Sequence, residues 1–135
     1  MEKGQAICDT DVMIDYLDHQ NARHQAVKHI LENGIELDFV TISAITKMEL
    51  IVGASNKIEL NKLNKNIDRF NTLLLNPEIT LITIGLLETY RLSHNLAMPD
   101  AMIAATALHT DLVLFTFNLR DFKFIKGLQL YEAVR

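Results

Sequence analysis

Residues 100–108, DAMIAATAL, constrain the fold of this chain more than any other stretch. After the leading aspartate, apolar side chains run round every side, broken only by Thr106. A surface helix keeps a polar face for water; one without such a face has to be packed all round. Pro99 suits the first turn of such a helix, where its missing N–H is not needed. The segment therefore reads as a helix buried in the middle of the domain.

Around it, strand-like and helix-like segments alternate. Residues 5–8 form a short apolar run suited to an inner strand, and a helix follows from near Asp11 with Val12, Ile14 and Leu17 inside. Residues 21–33 carry a second helical stripe (Ala26, Val27, Ile30, Leu31) with Gly34 placed as its C-cap. Residues 37–42 read as a strand, and Ser43 as the N-cap of AITKMELIVGA, a helix ending near Gly53. From a cap at Asn56, the residues Ile58, Leu60, Leu63, Ile67, Phe70 and Leu74 recur mainly at steps of three and four. These two helices make a helical arm at about residues 43–75. Asn76-Pro77 interrupts the pattern; residues 79–82 then read as a strand and 84–94 as a helix. Residues 111–116 give another strand, NLRDF a turn, and residues 128–131 a last short strand. Strands alternating with helices favour a three-layer α/β/α sandwich around a mostly parallel sheet.

With 135 residues and 49% apolar content, the chain suits a single domain over residues 1–135. A chain of this size buries roughly two-thirds of its unfolded surface. The N-terminal apolar run is cut at once by acids and reads as a first strand, not a signal peptide. No uncharged apolar stretch reaches the length of a membrane span. Cys8 is the single cysteine, which excludes an internal disulfide and makes a reducing, cytoplasmic setting the expectation. The net charge of −4 argues against a broadly basic nucleic-acid-coating surface. It leaves room for a local basic edge beside an acidic metal centre, because a bound divalent ion changes the sign of such a site.

Most acids read as solvated surface groups, but four stand in unusual company. Asp9 follows the run QAIC directly, and ligands of open parallel sheets gather beyond the carboxyl ends of strands. Its ordinary reading, shared with Asp11, is a helix cap. Glu49 lies within TKMELIV, beside enough apolar mass to be partly buried, so it needs a metal or a cationic partner such as Lys47. Asp100 opens the buried helix, where an acid also suits the helix dipole. Asp121 and Asn118 follow the strand DLVLFT, as turn residues or as site residues. These places converge on one rim of the sheet. Like charges held close raise one another's pKa unless a cation neutralises them, and hard oxygen donors suit Mg²⁺ or Mn²⁺. The histidines at 19, 24, 29, 94 and 109 are scattered and offer no zinc spacing.

The arrangement resembles a PIN domain and, within that superfamily, the toxin branch called VapC. The resemblance runs through ICDTDVMIDYL with Asp9, SAITKMELIVGA with Glu49 and Gly53, MPDAMIAATAL with Asp100, and LVLFTFNLRDF with its Thr-x-Asn turn and acidic-Phe ending. Asp11 stands where such toxins commonly have Asn. The resemblance implies that Asp9, Glu49, Asp100 and Asp121 hold Mg²⁺ or Mn²⁺ and serve hydrolysis of an RNA phosphodiester. Asn118 competes with Asp121 for the fourth place, while Asp11, Thr116 and Arg120 support the site. Lys47, Arg91, Arg120 and Lys123 are candidate phosphate contacts, each an ordinary surface charge when taken singly. It also implies a homodimer and a small cognate antitoxin, through which DNA is bound only indirectly.

Two other readings compete. ICDTDV is similar to the Asp-x-Asp opening of haloacid dehalogenase-type phosphatases, with Asp9 as nucleophile and Asp11 as general acid, but LVLFTFNLRDF does not supply the acidic pair that family needs. Some PIN-like domains are catalytically inactive scaffolds or RNA-binding modules; the intact acids argue against that here. Fold similarity alone does not fix a substrate.

Overall fold

Strands β1 (Ala6–Cys8), β2 (Val40–Ser43), β3 (Asn71–Leu73) and β4 (Val113–Phe115) form one sheet in the order β3-β2-β1-β4 in the computed structural model, which describes residues 4–132. The first three and last three residues of the expected 1–135 domain lie outside the described residues. Every neighbouring strand pair is parallel, with Ala6 opposite both Val40 and Val113. Parallel strands need crossovers, and helices supply them: α1 (Thr10–Leu17), α2 (His24–His29), α3 (Ala44–Val52), α4 (Lys57–Ile67), α5 (Pro77–His94), α6 (Met98–Thr110) and α7 (Leu119–Phe122).

Alternation along β1 sorts the core into two layers. Ala6 and Cys8 face Val12, Met13, Val27, Leu31 and Phe70 on one side. Ile7 and Leu114 face the other, against Ala101, Ala104 and Ala105 of α6. Residues 103–107 are all buried, as a segment without a polar face requires, Thr106 donating its hydroxyl to Met102 O within the helix; its alanines let α6 lie close to the sheet and to α5. The result is the mostly parallel α/β/α sandwich expected from the alternation. Cys8 is fully buried, and burial pushes its thiol well above the usual range, so it serves as a small hydrophobe. No helix among the described residues is long and apolar enough to cross a membrane.

Several local expectations are corrected. Residues 79–82 are not a strand but part of the 18-residue α5. Asn76 Oδ1 accepts from Ile79 N at 2.8 Å and Pro77 occupies the first turn, so the Asn-Pro pair starts a helix. The β-branched run is then wound so that Ile79, Thr83 and Leu86 face inward. The strand lies upstream instead. The helical period of the arm stops at Ile67, and residues 71–73 pair with β2 as the sheet edge. Gly34 is not a C-cap: residues 30–35 form a π-helical turn, and Glu36 takes the left-handed backbone at φ 74°. NLRDF contains the one-turn helix α7, and the expected last strand shrinks to a single bridge between Leu114 and Leu130.

Candidate active site

The sheet order puts β2 and β4 on opposite sides of β1, so the chain departs in two directions from the crevice between β1 and β4. Such a switch point leaves space beyond the strand ends. Asp9, the residue after β1, continues the ladder by donating its N–H to Phe115 O at 2.9 Å. Its carboxylate is 4% exposed. Thr116, the residue after β4, donates its hydroxyl to Asp9 Oδ2 at 2.7 Å and accepts Asn118 N at 2.9 Å. Because that hydroxyl already accepts the Asn118 N–H, its proton is directed at Asp9. Asp9 Oδ1 accepts Thr10 N at 2.7 Å, so Asp9 caps α1 while its other oxygen is held by Thr116.

Asp11 Oδ1 accepts Val12 N at 2.7 Å and Oδ2 accepts Phe117 N at 3.1 Å, tying α1 to the loop after β4. Glu49 is exposed, not buried, because the outer face of α3 also leaves Met48 and Val52 in solvent. Its expected lysine partner is replaced by a hydroxyl: Thr10 donates to Glu49 Oε1 at 2.6 Å, and Thr46 stands 3.0 Å from the same Thr10 oxygen. Asp100, half-buried in the first turn of α6, shares a cavity of about 170 Å³ with Asp121, His94 and Phe124.

The acids act on one another. Burial, then the charge of Asp11, pushes Asp9 from 3.8 up to about 7, against the pull of its bonds to Thr116 and Thr10. Burial, then Asp121, Glu49 and Asp11, pushes Asp100 from 3.8 up to about 6. Burial also raises Asp11, while its backbone bonds and the Arg23 charge lower it. The sequence-predicted acids Asp9, Glu49, Asp100 and Asp121, with Asp11, are thus brought to one rim. Of the neighbouring acids, Asp121 raises Asp100 most, whereas Asn118 acts through its backbone N–H.

Among the described residues, no group of three His, Cys, Asp or Glu side chains stands at metal-chelating distance. No Lys or Arg among them pairs with these acids; Asp15 takes the ion pair with Arg23. The residues nevertheless fit a divalent ion chemically. All donors are hard oxygens, and burial and neighbouring acids raise Asp9 and Asp100, a penalty on their charged forms that a bound cation would relieve.

Of the candidate cations, Arg91 is committed elsewhere: it donates to the carbonyls of Asn95 and Leu96 and closes the end of α5. Arg120 and Lys123 are exposed around α7, and Lys47 is half-buried on α3. Sequence reading missed Thr10, which orients Glu49. Its only signal was its place between two acids in DTD. It also missed Arg23, which stacks on Phe117 beside Asp11 and carries no sequence signal.

The PIN domain family profile matches residues 6–128. Ribonuclease VapC19 of Mycobacterium tuberculosis is 30% identical over 124 residues, covering 91% of this chain and 96% of its own length. Among solved structures, a toxin-antitoxin complex from Klebsiella pneumoniae contains a chain 31% identical with a TM-score of 0.74, covering 96% of this chain and all of that one. The DNA-bound VapBC of Salmonella typhimurium contains one 25% identical with a TM-score of 0.73, covering 95% of this chain and 97% of its own.

Proposed function

The chain belongs to the PIN domain family, with the fold of VapC-type toxin modules, and on that premise we propose that it is a Mg²⁺- or Mn²⁺-dependent endoribonuclease, the toxin of a toxin-antitoxin pair. The observation that carries this reading is the gathering of acids about the β1/β4 crevice: Asp9 and Asp11 are tied to the loop after β4, Thr10 holds Glu49 beside them, and Asp100 shares a cavity with Asp121. A shared rim of acids with no paired cation among the described residues is poorly suited to stability alone and well suited to holding a divalent ion.

Asp9, Glu49, Asp100 and Asp121 would hold the ion, with Asp11 assisting from behind. When bound, the ion supplies Lewis-acid charge that activates water and stabilises the phosphoryl oxygens. The chain's own residues set the geometry. Thr116 fixes one oxygen of Asp9 and the Thr10 amide fixes the other, so the carboxylate cannot rotate without breaking both bonds. Thr10 holds Glu49 toward the same rim although α3 leaves it in solvent. Burial of Asp9 keeps bulk water from screening its charge. The cognate partner is a small antitoxin, and the protein is a homodimer; exposed Val52, Ile58, Leu81 and Leu92 supply apolar surface for such contacts.

The test is sequencing of RNA ends after brief expression of the chain and of its Asp9→Ala form. New ends with the first and none with the second are expected, together with metal-dependent cleavage by purified protein. Equal ends from both forms would remove Asp9 from the mechanism. RNA binding without any cleavage would move the chain to the non-catalytic PIN class.

A further inference from the structure

Arg23, which begins no motif and lies in the short turn before α2, is held unusually well for a residue with a 53% exposed side chain. Its Nε forms an ion pair with Asp15 Oδ2 at 2.8 Å. Asp15 is itself only 9% exposed and is fixed through Oδ1 by Asn21 Nδ2 at 3.0 Å. The guanidinium carbon stands over the Phe117 ring, 4.2 Å from its centroid. Nε is thus held by the Asp15 charge and the group by the ring beneath it, while the two terminal amino groups have no hydrogen-bond partner among the described residues.

The place of this free fork matters. The backbone N–H of Phe117, the residue it stacks on, donates to Asp11 Oδ2 at 3.1 Å, and the positive charge of Arg23 pulls Asp11 down. A rigid cation thus stands at the edge of the acidic rim without pairing with any of its acids. RNA is a polyanion and must approach that rim against five carboxylates. An ion at the centre serves the scissile group only; a flanking phosphate needs its own cation. Guanidinium matches a phosphodiester through two parallel N–H bonds, and it is strongest when the fork is already oriented.

We propose that Arg23 is a phosphodiester-binding residue for the substrate strand, its fork fixed by Asp15 and Phe117 so as to take a phosphate next to the scissile one. The inference rests on the RNA-cleaving reading above and adds a positioning residue to it. Asp15 and Phe117 act through Arg23 and touch no substrate.

The test measures binding of a fluorescent single-stranded RNA with Ca²⁺ in place of Mg²⁺, then cleavage with Mn²⁺. Arg23→Ala is expected to weaken binding about tenfold and to flatten the salt dependence by about one phosphate contact, a slope change of about 0.7. Arg23→Lys, which keeps charge but loses the fork, should fall between. In cleavage, KM should rise with kcat nearly unchanged, since a flanking phosphate is held alike in ground and transition states. Replacing single phosphates of the RNA by neutral methylphosphonates should weaken wild type at one position and leave Arg23→Ala indifferent there. A merely structural Arg23 would lower thermal stability while leaving affinity, salt slope and the methylphosphonate pattern unchanged, and that result overturns the proposal. Wild-type protein that binds RNA but does not cleave it would refute the nuclease reading and leave the Arg23 comparison standing. Failure of wild type to bind RNA at all would sink both.

Discussion

Replacing Asp9 by asparagine should stabilise the metal-free protein, although Asp9 lies at the centre of the site. Its carboxyl moves from 3.8 to about 7 on folding, chiefly through burial and the charge of Asp11. At about pH 8, carrying that charge into the fold costs about 4 kcal/mol, at about 1.4 kcal/mol per tenfold change in proton affinity. Asparagine removes the charge and still accepts the Thr116 hydroxyl. Its amide group, however, faces the Thr10 N–H, donor against donor, which costs about 2 kcal/mol. The net gain is about 2 kcal/mol, or about 6 °C in melting temperature for a chain of this size.

The sign follows from a raised acid. The folded state binds the Asp9 proton more tightly than the unfolded chain, so the wild type is free of the charge penalty below 3.8 and loses that stability as pH rises through about 7. The advantage of Asp9→Asn should therefore be absent near the lower value, grow across that window and level off above it. Saturating Mg²⁺ should reverse the order. Binding at a hundred times the dissociation constant stabilises wild type by about 2.7 kcal/mol, and the variant has lost a ligand. Thermal and urea denaturation with chelator and with Mg²⁺, across the pH window, make the measurement. A variant equally destabilised at every pH without metal would refute the reasoning that the acids are held together at an electrostatic cost.

Thr116→Val should destabilise the protein by about 1–2 kcal/mol and weaken divalent-ion binding, because it removes the bridge between Asp9 and the Asn118 N–H; denaturation and calorimetric metal titration test both effects. Asp100→Asn should lower the carboxyl titration midpoint of Asp9 in ¹³C NMR, since the Asp100 charge is one of those raising it; an unmoved midpoint would separate the two groups. Ala104→Leu should cost about 1–3 kcal/mol by urea denaturation, because Ala104 is fully buried and its side has no room for added methylenes.

The sequence exposed those features whose physical cause is local. An all-apolar helix has to be central, and α6 is; Ser43, Asn56 and Pro99 mark helix starts because capping depends on the residue and its near neighbours. The misread elements are ones where local signals compete. Residues 79–82 have β-branched composition, yet Asn76-Pro77 supplies a start signal and wins. The 71–73 strand continues a helical period and becomes a strand only because the edge of β2 is there to pair with.

The site divides along the same line. An acid directly after a strand, or in the first turn of a buried helix, is conspicuous from its neighbours, so the placement of Asp9 and Asp100 is legible. The depth of Glu49 was not, since it depends on which face of α3 meets α1. Arg23 was invisible for a stronger reason. Its role is defined by Asp15 in α1 and Phe117 beyond β4, residues 8 behind it and 94 ahead of it in the chain. Acids proposed to share one ion have to stand near the strand ends, where topology gathers them. A cation that positions a long flexible substrate only has to stand beside that centre, and any turn that packs there can supply it. Where the sheet gathers the proposed catalytic acids, the loops around it are therefore free to set how a substrate strand would be held.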